Sequence, residues 1–192
     1  MRAMLRAFLG LALEEPALGA AARCLASLRS GALERDLRFV RPEGLHVTLR
    51  FLGSVARDVV PEISRAVAAT VRPLAPFAVR LGAVRGFPSP RRPRVLALDL
   101  APAEPLATLA AAVERGVVAA GFAAEPRAFR AHVTLARVRT GRSPTFENVP
   151  GPEPAGFEAR TVTLFESRPG EGGSVYTPLE RMALGGPVAL QP

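Results

Sequence analysis

The chain has 192 residues, 48% of them hydrophobic, and carries a formal charge of +8 from 25 basic and 17 acidic side chains. That length builds one large domain or two small lobes with a real core, and the composition excludes a disordered chain. A single cysteine, Cys24, excludes an internal disulfide and fits a reducing compartment. Every basic residue is an arginine. The positive field suits a polyanionic partner such as RNA, although the arginine bias is equally an expression of base composition in the source genome.

Arg2 and Arg6 precede an apolar run from Ala7 to Leu13, which Glu14-Glu15-Pro16 cuts off. The run is too short to span a bilayer, and no small-residue cleavage pattern follows it. It is a first strand rather than a signal peptide, and the expected location is the cytoplasm. Leu5–Leu13 is that strand. Glu14, Glu15 and Pro16 open a helix through Ala20, Cys24 and Leu28 that stops by Gly31. A short strand at Leu37–Val40 and a turn at Pro42-Glu43-Gly44 lead into a strand from His46 to Leu52. Asp58 is placed to cap a second helix, with Pro61 in its first turns, continuing to Val71. Phe77–Phe87 is a strand, and the run from Pro88 to Pro93 a loop.

A second half follows the same order. Val95–Leu100 is a strand, Glu104–Ala120 a helix ended by Gly121, and a linker with Pro126 leads into a strand beginning at His132. The interval from Leu5 to His46 is 41 residues and that from Arg94 to His132 is 38. The order implies an internal duplication, with repeats of about 5–87 and 94–184 in one domain, 1–192. Arg139–Gly156 reads as a loop. Thr161–Glu166 and Tyr176–Leu184 close the chain as strands joined by a turn over Pro169–Gly173, with a loose tail from Gly185. The expected fold class is α+β: bilobal, duplicated strand-helix-strand units, with two antiparallel sheets facing a central cleft and helices outside.

The two histidine strands share the tetrad His-Val-Thr-Leu, at 46–49 and 132–135, and contain the only histidines in the chain. Thr occurs 9 times in 192 residues. Finding it two places after both histidines is therefore a chance of roughly one in 450. In a strand, His and Thr two residues apart share one face, while Val and Leu take the other. Two such strands brought together offer two imidazoles and two hydroxyls to one small volume.

That set of groups suits in-line displacement at phosphorus. One imidazole takes a proton from water and the other protonates the departing oxygen, because the reference pKa of His lies near 6.5. Threonine hydroxyls and an arginine hold the non-bridging oxygens. Two His, one helical Cys and no acid within the motifs disfavour a zinc site, so no metal and no cofactor are expected. Ser30, Ser54, Ser89, Ser143 and Ser174 lie in turn-like stretches without a nucleophile elbow. Arg130 and Arg137 flank the second motif and Arg168 follows a late strand. Arg91, Arg92 and Arg94 form a basic loop that either grips a polynucleotide backbone or is merely solvated.

Leu45-His46-Val47-Thr48-Leu49-Arg50-Phe51-Leu52-Gly53 and His132-Val133-Thr134-Leu135-Ala136-Arg137 resemble the paired motifs of the two-histidine phosphoesterase superfamily. More narrowly, they resemble its RNA 2',3'-cyclic phosphodiesterase branch, first described as 2'-5' RNA ligases. Arg6-Ala7-Phe8, Glu166-Ser167-Arg168 and Tyr176-Thr177-Pro178-Leu179 extend the likeness along the chain. Ala131 departs from the Pro that often precedes the second His.

The resemblance implies a bilobal fold with an open cleft and metal-independent hydrolysis of RNA ends or cyclic nucleotides to 2'-phosphomonoesters. In it His46 is the proton donor and His132 the proton acceptor. Thr48 and Thr134 bind phosphate, with Arg137 and Phe51 as further substrate contacts; Arg130 joins the candidate substrate-binding residues on its position beside the second motif and not on the resemblance. Strand parity puts Phe51 and Arg137, each five residues after its His, on the wrong face, so a twist or strand end has to bring them round. Three alternatives share these residues: a 2'-5' RNA ligase, an ADP-ribose 1'',2''-cyclic phosphodiesterase and a non-catalytic RNA-binding module. A monomer is expected.

Overall fold

The computed structural model describes residues 3–89, 92–142, 144–146, 149–171 and 173–186. Strands β1 (Met4–Ala12), β2 (Leu37–Phe39), β3 (His46–Ala56), β4 (Phe77–Phe87), β5 (Val95–Ala101), β6 (His132–Val138), β7 (Gly156–Ala159), β8 (Thr161–Gly170) and β9 (Gly173–Ala183) are joined by helices α1 (Ala17–Arg29) after β1, α2 (Val60–Val71) after β3 and α3 (Ala103–Ala119) after β5. The fold is α+β. The strand order is β7-β4-β5-β6-β3-β1-β8-β9, with β2 beside β6. All the pairings are antiparallel.

This order is symmetric about its middle. On one side β3 is followed by β1, β8 and β9; on the other β6 is followed by β5, β4 and β7. The halves meet through one residue pair, Val47 with Val133. The two expected sheets are therefore joined at their histidine strands into one curled surface. Val47, Leu49, Val133 and Leu135 are all buried, so each histidine strand turns its apolar face to the core.

The helices cross between halves. α1 follows β1 but packs near β4, whereas α3 follows β5 but packs against β3 and α2. The exchange merges both halves into one apolar cluster, which includes Leu9, Leu25, Ile63, Leu98, Leu109 and Leu164. α2 and α3 approach closely at Gly116, where an added Cβ would sit 2.6 Å from the Val67 Cα.

Three expectations are revised. The capping position of α2 is Val59, with no side-chain cap, because a 3-10 turn over Arg57–Val59 takes in Asp58 before the helix begins. β7, whose Gly156 closes the expected loop and whose other residues carry no sequence expectation, pairs with β4 from Phe77–Ala159 to Arg80–Gly156. The β8–β9 hairpin continues through the supposed turn to a Gly170–Gly173 pair. Residues 187–192, most of the tail expected to be loose, lie outside the described set.

Candidate active site

The Val47–Val133 pair decides where the motif side chains lie. In antiparallel register one step from it sets His46 beside Thr134 and Thr48 beside His132. All four point away from the buried valines and are half-buried at the surface of the sheet. Directly opposed Cβ atoms in such a ladder are about 5 Å apart and diagonal ones about 7–8 Å. The two imidazoles take one diagonal and the two hydroxyls the other.

The parity obstacle to Phe51 and Arg137 is removed by a pair of matching bulges. In the β1–β3 ladder the partners run Leu9–Arg50 and then Gly10–Thr48, passing over Leu49. In the β5–β6 ladder they run Leu96–Ala136 and then Ala97–Thr134, passing over Leu135. Each extra residue falls three places after the histidine and shifts the later residues by one face. Leu135 and Ala136 are accordingly both buried, and Arg137 emerges exposed. Phe51 is 53% exposed, with its ring centroid 6.0 Å from that of Phe8.

Each imidazole is oriented by a carbonyl two residues earlier. His46 Nδ1–H donates to Gly44 O (2.7 Å) and His132 Nδ1–H to Arg130 O (2.8 Å). A carbonyl only accepts, so both bonds put a proton on Nδ1 and leave Nε2 to the open face. In the neutral His46 ring Nε2 then accepts from the Thr48 hydroxyl at 3.0 Å.

The surroundings of the two rings differ. His46 lies against Phe8 (4.6 Å between centroids), the Tyr176 ring (4.8 Å, edge-on) and, farther off, Phe165 (6.4 Å). Burial in that cage pushes its pKa down to about 4; the Gly44 bond opposes the shift, and the fields of His132 and Arg137 add to it. His132 stacks on Phe87 (4.1 Å), and Arg130 lies over the same Phe87 at 4.6 Å. Its pKa is also lowered, mainly by burial and then by Arg130 and Arg137, against the opposing effects of the Arg130 carbonyl and Asp99. Arg137 is thus near enough for its charge to act on both rings.

Other arginines are already committed. Arg130 donates to Pro88 O (2.7 Å) while it stacks on Phe87. Arg168 makes two bonds to Glu166, at 2.7 and 3.1 Å. Arg91 lies outside the described residues, so the basic loop is only partly in view. Among the described residues no three His, Cys, Asp or Glu side chains converge as a metal site, and no helix is long and apolar enough to cross a membrane.

Sequence reasoning missed most of the walls. Phe8, Phe87, Phe165 and Tyr176 come from four strands and look in sequence like ordinary core or strand residues. Only Phe8 and Tyr176 carried a signal, as parts of flanking stretches with a familiar pattern.

The curled antiparallel sheet and the paired histidine face define a LigT-like phosphoesterase fold. The chain belongs to the 2'-5' RNA ligase superfamily, whose family model matches residues 16–171. It is 30% identical over 183 residues to the RNA 2',3'-cyclic phosphodiesterase of Methanothermobacter thermautotrophicus, covering 91% of this chain and 96% of that one. The enzyme of the same name from Aeropyrum pernix is 36% identical over 108 residues, 56% of this chain and 60% of that one. Among solved structures, a Thermus thermophilus protein superposes with a TM-score of 0.78 at 29% identity, covering 95% of this chain and 99% of that one. Escherichia coli LigT complexed with 3'-AMP gives 0.75 at 25% identity, with the same coverage.

Proposed function

We propose that this chain hydrolyses 2',3'-cyclic phosphate ends of RNA, or of nucleosides, to 2'-phosphomonoesters, with its two histidines as acid and base. The observation that carries the reading is the Val47–Val133 junction, which gathers both His-x-Thr pairs on one open face. Relatives named RNA 2',3'-cyclic phosphodiesterase, at 27–36% identity, supply the reaction class.

In this reading the cyclic phosphate rests on the Thr48 and Thr134 hydroxyls, under the charge of Arg137. His132 accepts a proton from water at Nε2 as the water oxygen bonds to phosphorus. The bond from phosphorus to the 3'-oxygen breaks, and His46 gives its Nε2 proton to that oxygen. The products are a 2'-phosphomonoester and a free 3'-hydroxyl. The rings finish with exchanged protonation states, so solvent resets them before the next turnover.

A low pKa for His46 in the free enzyme fits a donor that is charged by its substrate. The anionic phosphate raises the pKa of an adjacent imidazole, so binding brings the proton the acid needs. Before substrate arrives both rings are neutral, which avoids placing two like charges together. Phe51, exposed at the rim, offers a base a stacking surface, and Arg130 adds positive charge through Phe87 beside His132. No step requires a metal. The reading takes the chain as a cytoplasmic monomer and one domain, with repeats of about 5–87 and 94–184 as its lobes.

The test is product analysis after incubation with 2',3'-cyclic AMP in EDTA. The expected product is the 2'-phosphate. A 3'-phosphate would mean that the departing oxygen is wrongly assigned, and a requirement for metal would overturn the mechanism. Offering a 5'-hydroxyl RNA alongside the cyclic end separates hydrolysis from ligation, since joining yields a longer product.

A further inference from the structure

Beside the two histidines lies a second cationic hollow, whose Arg38 and Arg41 the proposed mechanism does not use. It is lined by Arg38 and Arg41, by Arg137 from β6, by Gly44 at the turn before β3, and by Ser174 and Tyr176 of β9. It adjoins the histidine face at two points. Tyr176 touches the His46 ring, and the Arg137 charge acts on both imidazoles.

The charge arrangement inside it is unfavourable without a ligand. β2 pairs with β6 so that Arg38 stands directly opposite Arg137. Like charges directly opposed across a ladder repel. The β2 burial pattern, with Leu37 and Phe39 inward and Arg38 exposed, puts Arg38 on the open side where Arg137 emerges after its bulge. Neither residue has an ion-pair partner among the described residues, and neither does Arg41. Arg65, Arg72, Arg115 and Arg181 also lack a carboxylate among the described residues, so what marks this trio is its convergence on one hollow and not the missing partner alone. Three guanidinium groups around one hollow with no acid in its lining call for an anion from outside.

We propose that Arg38 and Arg41 hold the phosphodiester on the 5' side of the terminal nucleoside, which makes an RNA chain end the preferred substrate over a cyclic mononucleotide. The inference rests on the function proposed above and narrows its substrate class. A mononucleotide brings one phosphate, and the His-x-Thr pairs take it. The next phosphate of an oligonucleotide meets the second hollow, with Arg137 shared at the boundary. β2 has no counterpart in the symmetric strand order, so only one side of the histidine face has this extension.

The test compares 2',3'-cyclic AMP with a five-nucleotide RNA ending in a 2',3'-cyclic phosphate, using wild type and an Arg38→Ala/Arg41→Ala double variant. On the pentamer, kcat/KM is expected to fall about tenfold in the variant, and the slope of its logarithm against log salt to flatten by about 0.7 per lost phosphate contact. Turnover of 2',3'-cyclic AMP is expected to stay the same, which also shows that the variant folds. Equal losses on both substrates, or none on either, overturn the subsite. If wild type turns over neither substrate, the functional reading fails. The subsite is then decided by fluorescence anisotropy of a labelled pentamer with a plain 3'-hydroxyl. Binding about tenfold tighter to wild type than to the double variant supports it, and equal binding overturns it.

Discussion

The two halves of the site share a backbone and differ in what surrounds it. Each has a histidine whose Nδ1–H is fixed by the carbonyl two residues back, a threonine two residues on, and a bulge one residue later. His46, however, sits in a cage of Phe8 and Tyr176 with Phe165 beyond, while His132 stacks on a single ring, Phe87, that also carries Arg130. Symmetric strands therefore place two like groups together, and the asymmetric walls give them different proton affinities. On the function proposed above, one repeated tetrad then supplies both the acid and the base.

The largest test of that comparison removes each ring in turn. If both act in the same step, His46→Ala and His132→Ala each lower turnover by about 10²–10⁴-fold, and the double variant falls little further than either single one. Steady-state kinetics on 2',3'-cyclic AMP measures this. A variant that keeps wild-type turnover breaks the pairing.

The second test reads the cage through stability. The folded pKa of His46, about 4, lies below the unfolded value near 6.5. Between those values the unfolded chain takes up a proton that the folded one refuses, so stability is fully present above pH 6.5 and is lost as pH falls towards 4. The loss amounts to about 3 kcal/mol at most. Thermal melts of wild type from pH 7 to 4 are expected to show it, and His46→Gln is expected to flatten the acid limb more than His132→Gln does. Equal flattening would mean that the cage makes no difference.

The halves also differ at the residue after each bulge, where Ala136 on one side answers to Arg50 on the other. Arg50 donates through Nε to Glu114 (2.6 Å) and through Nη2 to the Ala123 carbonyl (2.6 Å), bonds the Phe51 carbonyl, and lies 3.6 Å from Glu125. Glu114 accepts in turn from the Glu125 amide at 2.7 Å. One guanidinium, 12% exposed, thus ties the bulge of β3 to α3 and to the segment that leads into β6. Removing it leaves the mostly covered Glu114 uncompensated. Arg50→Ala is expected to cost about 2–3 kcal/mol in urea denaturation, against about 1 kcal/mol or less for Ala136→Gly.

Much of this arrangement was legible in the chain. The repeated tetrad pointed to a shared site because it uses both histidines, and period-two alternation put His and Thr on one face. The strand Phe77–Phe87 was readable to the residue. The bulges were not, because an extra residue on β3 shows only against its partners on β1, around Gly10, where a Cβ would meet the Val47 carbonyl at 2.5 Å. β7 was hidden for another reason: its four residues follow a Gly- and Pro-rich run and become a strand only beside β4. The crossing of α1 and α3 to opposite halves, and the meeting of Tyr176 with His46 across 130 positions of sequence, are tertiary facts with no local signature.

The smallest test concerns the two hydroxyls. Thr48→Val and Thr134→Val keep shape and strand preference while removing one phosphate donor each, and both are expected to lower kcat/KM about tenfold. The difference between them lies in the free enzyme. Thr48 bonds the His46 ring at 3.0 Å, and its hydroxyl serves either form, giving a proton to the neutral ring or accepting more strongly from the charged one, whereas no such bond joins Thr134 to His132 among the described residues. Losing Thr48 should therefore lower the His46 pKa further, while losing Thr134 leaves both histidines where they were. Following the two ring signals by NMR against pH in each variant separates the cases. If Thr134→Val moves the His46 titration as far as Thr48→Val does, the 3.0 Å bond has no part in setting that pKa, and the cage alone accounts for the neutral ring.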